Sequence, residues 1–159
     1  HVRSLSEYER IVGDYQRADA PVRATLRTTR GDITLEFFVT DAPLTVDNFV
    51  TLARQGYFNG TRFHRVIPNF VAQDGDPSGT GSGTPGTSIR DEINRHRYER
   101  GAVGMALSGP DTGGSQYFLT ITPQPHLDGG YTVFARVIHG LDAMDQLLFG
   151  DRLLEVIVR

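Results

Sequence analysis

The chain has 159 residues, 38% hydrophobic and 22% charged, the profile of one soluble globular domain that buries roughly 68–70% of its unfolded surface without disulfide or metal. Its formal net charge of −3 gives no electrostatic reason to expect nucleic acid or an anionic membrane as partner. Cysteine is absent, which excludes a disulfide scaffold, a cysteine nucleophile and cysteine-held zinc, and all 16 basic residues are arginine, which excludes Schiff-base lysine chemistry. No apolar run reaches the ~18 residues of a membrane helix, and His1-Val2-Arg3 does not open a signal peptide. Because the first residue is not Met, the chain reads as processed or as an excised segment.

In chain order, Ser4-Leu-Ser-Glu7 has capping-box spacing, and Leu5, Tyr8, Ile11, Val12 and Tyr15 recur at helical period. Together they predict a short amphipathic helix to about Gln16, ended by Ala20-Pro21. Val22–Thr28 and Ile33–Val39 alternate around a turn at Arg30-Gly31-Asp32, which is a β-hairpin pattern. Asp41-Ala-Pro43 opens a second helix, with Asp as cap and Pro in the first turn. Val46, Phe49, Val50 and Ala53 mark its buried face, and Gly56 closes it. Strands are predicted at Arg62–Ile67 and Phe70–Gln73, followed by a long loop over 75–87, too rich in Gly and Pro for a regular element. Further strands read at Val103–Leu107, Tyr117–Ile121 and Thr132–Val137, a third helix runs from about Leu141 to Leu148, and a last strand spans Leu153–Val158. Many short strands with few helices predict a mostly β, antiparallel, barrel-like domain.

Several local signals point to chemistry and are weak on inspection. Gly79–Gly86 looks like a phosphate cradle, yet it lacks the Lys-Ser/Thr ending of a P-loop and the strand-to-helix setting of a dinucleotide fingerprint. The histidines at 1, 64, 96, 126 and 139 show no metal spacing and read as surface or packing residues. Asp91-Glu92 and Asp74/Asp76 could form an acid/base pair for glycoside hydrolysis, but adjacent carboxylates in polar sequence read first as solvated. Asp111-Thr-Gly113 is the tripeptide of aspartic proteases, which need two such aspartates sharing a proton. It occurs once, after the turn formers Ser108-Gly-Pro110, and reads as a loop.

Two longer stretches are more specific. Phe63-His-Arg-Val-Ile-Pro-Asn-Phe-Val-Ala-Gln-Asp-Gly-Asp76 and Gly104-Met-Ala-Leu-Ser-Gly-Pro-Asp-Thr-Gly-Gly-Ser-Gln-Tyr-Phe-Leu119, extended by His126-Leu-Asp-Gly129 and Thr132-Val-Phe134, resemble the cyclophilin type of peptidyl-prolyl cis/trans isomerase. The similarity covers about residues 22–158, and its compact middle is bacterial-like. It implies a closed antiparallel eight-stranded barrel capped by two helices over residues 22–159, with residues 1–21 as an N-terminal helical extension or linker. The implied activity is rotation about X-Pro peptide bonds, assisting protein folding, with no cofactor and no metal. Implied partners are proline-containing peptides and unfolded proteins, not nucleic acid or membrane, met by a monomer. The compartment stays open between a bacterial periplasm or cell envelope and the cytoplasm.

Carried over by motif match, Arg65 takes the catalytic position. Phe70, Val71, Phe118 and Leu127 wall a proline pocket with Met105 beneath them; each of these also suits ordinary core. Gln73 holds the guanidinium and touches substrate backbone, and Gln116 lines the adjoining surface. The Leu107 backbone pairs with the residue before proline. Ala106 and Ser108 keep a neighbouring subsite open beside the loop that includes Thr80. Val71 stands where the best-known members have Met, Leu107 replaces an Asn, and Tyr131 replaces a His of eukaryotic members while keeping a flat aromatic wall. His126 replaces a Trp tied in the family to strong cyclosporin binding, so that binding is expected to be weak. Two other readings remain: a proline-peptide binding module with little turnover, and, more distantly, a homodimeric aspartic protease.

Overall fold

The structure, a computed structural model, describes residues 3–17 and 19–159. Its elements are α1 (Leu5–Gln16), β1 (Arg23–Thr28), β2 (Gly31–Phe37), α2 (Pro43–Arg54), β3 (Thr61–Arg62), β4 (Arg65–Ile67), β5 (Val71–Asp74), β6 (Ala102–Met105), β7 (Tyr117–Thr120), a 3₁₀ turn at Pro125–Leu127, β8 (Val133–His139), α3 (Leu141–Asp145) and β9 (Arg152–Val158). The strands pair antiparallel in one sheet of order β3-β9-β1-β2-β8-β6-β7-β5-β4.

The two ends of that order, β3 and β4, are separated in the chain only by Phe63 and His64. Two residues of extended chain span no more than a few ångströms each, so the backbone itself joins the two edges of the sheet into a barrel. The expected strand Arg62–Ile67 is therefore real but interrupted: its first part pairs β9 and its second pairs β5. A segment serving two ladders must leave one before joining the other, and it does so at Phe63, which is fully buried. Taking β3 and β4 as one broken strand recovers the eight-stranded barrel.

Inside the barrel, Leu26, Ile33, Leu35, Val103, Leu119 and Phe134 pack with Phe49 and Phe58, which belong to α2 and the turn after it. Alternation puts these side chains inward and their neighbours outward. α2 packs against β8 and β9, and α3 against β2. Gly56, at φ 73°, terminates α2 as expected, because only glycine adopts that conformation without a Cβ penalty. The start of α2 departs from expectation. Its cap is Ala42 and not Asp41, and no side chain of its own caps it. Glu92, far along the chain, supplies the acceptor instead, taking hydrogen bonds from the N–H groups of Leu44 (3.2 Å) and Thr45 (2.6 Å) and from the Thr45 hydroxyl (2.7 Å).

α1 begins with the expected capping box: the Glu7 N–H donates to Ser4 Oγ, and the Ser4 N–H donates to the Glu7 carboxylate. Ile11 is its buried residue, and the helix lies on α2. Leu5, counted above with the apolar face, is 73% exposed and does not belong to it. α3 is shorter than expected, because the segment after Asp145 turns back and the Leu148 N–H donates to Asp151.

Candidate active site

Register across four strands builds one outward-facing row. Arg65 on β4 lies opposite Gln73 on β5, Gln73 opposite Phe118 on β7, and Phe118 opposite Gly104 on β6. The alternate residues Ala72, Leu119 and Val103 face the core. A one-residue slip in any of these ladders would send its member of the row into the barrel.

Beside the row lies a hollow of about 230 Å³, lined by Arg65, Phe70, Val71, Gln73, Ala106, Leu107, Phe118, Leu127 and Tyr131. Phe70, Val71, Ala106, Leu107, Phe118 and Leu127 give it apolar walls, Arg65 and Gln73 give it a polar edge, and Phe118 meets Tyr131 edge-on at 6.1 Å. Arg65 sits at the rim with its guanidinium 5.7 Å from the Phe70 ring centroid and makes no ion pair among the described residues. Its contact to Gln73 Oε1 is long, 3.5 Å. The Gln73 amide donates to Gln116 Oε1 at 3.0 Å, and the Gln116 amide donates to the carbonyls of Gly81 and Gly83. Arg65 is thus steadied by a relay of amides that ends on the glycine-rich loop, while most of its donors stay free.

A second, wider hollow of about 550 Å³ adjoins the first and shares Gln73, Ala106 and Leu107 with it. Gly81–Thr84, Ser108, Thr112 and Gln116 complete its polar wall. Asp76 holds that wall in shape. Its carboxylate accepts from the Ser78 hydroxyl and from the backbone N–H groups of Ser78, Thr80, Gly81 and Gly83. Burial alone raises this carboxyl, but the Ser78 hydroxyl and those N–H groups outweigh it and hold it well below the usual carboxylate range. A Cβ on Gly83 would fall 1.8 Å from Asp76 Oδ1, so glycine is required there. The glycine-rich loop wraps an internal carboxylate and is no cradle for an external phosphate.

The other acids expected to be solvated are buried or bound as well. Asp74 is fully buried and accepts from Thr61 Oγ1 (2.9 Å) and Tyr117 Oη (3.0 Å). Burial pushes its carboxyl up, against the Gly75 N–H and those two hydroxyls. Glu92 serves α2, and Asp91 exchanges hydrogen bonds with Asp111 through their N–H groups and carboxylates. None of them is paired for hydrolysis, and Asp111 lies exposed in a loop, at φ 56°. His96 joins Asp41, His64 packs beneath Gly81, and His1 lies outside the described residues. Among the described residues no group of three or more His, Asp or Glu side chains could hold a metal ion, and no helix is long and apolar enough to cross a membrane.

The family model for "cyclophilin type peptidyl-prolyl cis-trans isomerase/CLD" matches residues 23–152. The chain belongs to the cyclophilin family. It is 51% identical over 132 residues to a peptidyl-prolyl cis-trans isomerase of Helicobacter pylori, covering 80% of this chain and 81% of that one. It is 49% identical over 126 residues to peptidyl-prolyl cis-trans isomerase B of Bacillus subtilis, with 78% and 88% covered. A crystal structure of a Cryptosporidium parvum cyclophilin type isomerase superposes with a TM-score of 0.83 at 30% identity, over 88% of this chain and 98% of that one. The same Cryptosporidium protein, in a structure obtained in the presence of the dipeptide Ala-Pro, gives 0.81 at 31% identity.

Within this cyclophilin, nine of the residues singled out from the motifs meet around the smaller hollow, and Ser108 and Gln116 line the wider one. Met105 is buried below, at 2% exposure. His126 lines neither hollow, its exposed ring standing 5.8 Å from that of Phe70. Thr80 also lines neither, its hydroxyl being engaged with Ser78 and Asp76. The supporting roles of three residues, two of them inside the quoted motifs, escaped the sequence reading. Asp76 could have been found from the Asp-x-Ser spacing of an Asx turn. Tyr98, stacked on Phe118 at 5.4 Å, and Gly104, beside both rings, carry no local signal.

Proposed function

We propose that this cyclophilin rotates X-Pro bonds in the smaller hollow, with Arg65 as the catalytic residue and with Phe70, Val71, Phe118, Leu127 and Tyr131 gripping the proline ring. The barrier to rotation is ~18–20 kcal/mol because the nitrogen lone pair is delocalised into the carbonyl. No nucleophile, acid or metal is needed; the twisted bond must bind better than either planar one. In the twisted state the nitrogen is pyramidal and carries a localised lone pair. The Arg65 guanidinium, which has no carboxylate partner among the described residues, donates to it. Gln73 orients the guanidinium and meets the substrate backbone, and the Leu107 backbone pairs with the residue before proline. Gln116, Ala106 and Ser108, with Thr80 at the margin, shape the neighbouring subsite, His126 stands beside Phe70 at the edge of the smaller hollow, and Met105 supports the floor.

An acceleration of ~10⁵-fold needs about 7 kcal/mol. One charge-assisted hydrogen bond supplies roughly 1.5–3 kcal/mol, so desolvation in the apolar hollow and selection of the twisted geometry supply the rest. The isomerase domain is residues 22–159, with residues 1–21 as an N-terminal helical extension or linker that contains α1 (Leu5–Gln16). The clients are prolines in unfolded or flexible chains, and the protein acts as a monomer. Cyclosporin binds weakly, because His126 offers neither the apolar area nor the N–H donor placement of an indole; calorimetric binding tighter than about 100 nM, roughly −9.5 kcal/mol, would contradict this.

The observation that carries the reading is the cross-strand row of Arg65, Gln73 and Phe118 around one apolar hollow. Its test is the cis-to-trans rate of a short Ala-Pro-Phe peptide with wild type and Arg65→Ala. The wild type is expected to accelerate exchange and the variant to lose nearly all of that. A wild type that binds proline peptides without turning them over would make this a binding scaffold.

A further inference from the structure

A third hollow, of about 540 Å³, lies on another flank of the apolar cluster that supports Phe118. Its rim carries Arg95, Arg97, Arg100 and Arg136 against the single carboxylate of Glu99. That is a basic concavity on a chain whose net charge is −3. Arg100 is held by a two-pronged pair with Asp145, and Arg136 is paired with Glu36. Arg95 and Arg97 are exposed, with no ion pair and no side-chain hydrogen bond among the described residues. Ala102, Val133 and Val137 also line the hollow, the first two of them buried. His96 is stacked flat on Phe38 at 3.6 Å and tied to Asp41, so the segment bearing both free arginines is pinned at its centre.

We propose that this hollow binds a short acidic segment of a polypeptide, with carboxylates at alternate positions on Arg95 and Arg97. In an extended peptide, side chains two positions apart point the same way, about 6.6–7 Å apart. Arg95 and Arg97 are likewise two positions apart, in a segment that is neither helix nor strand, and both reach the same hollow. Nucleic acid fits less well. A polyanion gains its affinity by neutralising many phosphates, and here only two of the four lining guanidiniums are uncommitted. Such a site gives the protein a second grip on a client whose acidic segment lies within reach of a proline, raising the local concentration of that proline at the first hollow.

The test is fluorescence anisotropy of the intact chain with a short, proline-free, fluorescein-labelled peptide alternating glutamate and leucine. A glutamine–leucine peptide serves as control. Binding is expected for the glutamate peptide, weakening with salt as exposed charge pairs do, and falling at least about tenfold in Arg95→Glu/Arg97→Glu. Turnover of the neutral Ala-Pro-Phe peptide, together with an unchanged melting temperature, shows that this variant is folded. Equal binding of both peptides, insensitivity to the double substitution, or tighter binding of single-stranded RNA at the same arginines would each overturn the proposal. The anisotropy does not depend on turnover, so its failure is distinct from failure of the Arg65 assay.

Discussion

Gly104 shows how far a side chain's absence can set a site. It faces outward on β6 opposite Phe118, and a Cβ there would lie 2.4 Å from the Tyr98 hydroxyl and 2.5 Å from the Phe118 ring. Both contacts are too close for any real Cβ, and the two rings are stacked on each other, so neither yields alone. Gly104→Ala is expected to cost about 1–3 kcal/mol, as other overpacked sites do, and to push Phe118 into the smaller hollow, where we propose that proline binds. Steady-state kinetics should show KM rising several-fold; unchanged KM with lowered stability would place Phe118 outside substrate binding. Arg65, Phe70 and Phe118 were legible from motif resemblance. Gly104 and Tyr98 were not, because their importance lies in what they touch across strands.

At the scale of elements, α2 illustrates a cap that no local pattern reveals. Asp41-Ala-Pro43 has the composition of a helix start, yet Asp41 turns to His96 and the Leu44 and Thr45 N–H groups of the first turn, left without helical partners, are met by Glu92. Burial raises the Glu92 carboxyl, against the opposing hydrogen bonds from Thr45 and Leu44. Removing a cap costs about 0.5–2 kcal/mol, which in a chain of this size shifts the melting temperature by roughly 2–4 °C per kcal/mol. Glu92→Ala should therefore melt a few degrees lower by calorimetry, and an unchanged melting point would mean that water replaces the cap fully. Strand existence was legible from alternation, whereas the break at Phe63 and His64 was not, since it arises from a change of ladder partner.

For the whole molecule, two buried carboxylates pull stability in opposite directions with pH. Asp76 has a folded value below its ordinary one, so its contribution is present above the usual carboxylate range and is lost as pH falls through the folded value. Asp74 has a folded value above its ordinary one, so stability is lost as pH rises from that ordinary value through the folded one. Melting curves between about pH 3 and 7, a range that starts below the ordinary aspartate value of about 3.9, should separate them. Asp76→Asn is expected to be destabilised at neutral pH, with the deficit shrinking in acid. Asp74→Asn should lose less stability than wild type as pH rises toward neutral; parallel curves would show that Asp74 titrates alike in the folded and unfolded chains.

By itself the sequence determined the class of fold, the hairpin, the first helix with its capping box, and the identity of the residues around Arg65. Those follow from periodicity, local hydrogen bonding and motif, all of which act over a few neighbouring positions. Only the tertiary structure decided that β3 and β4 close the barrel as one broken strand, that Glu92 caps α2, and that the glycine-rich loop is wound around Asp76. It also decided that Arg95 and Arg97 share a hollow with Arg100 and Arg136. Each of these depends on which strands pair and in what register, and pairing brings together residues whose separation along the chain leaves no trace in local pattern.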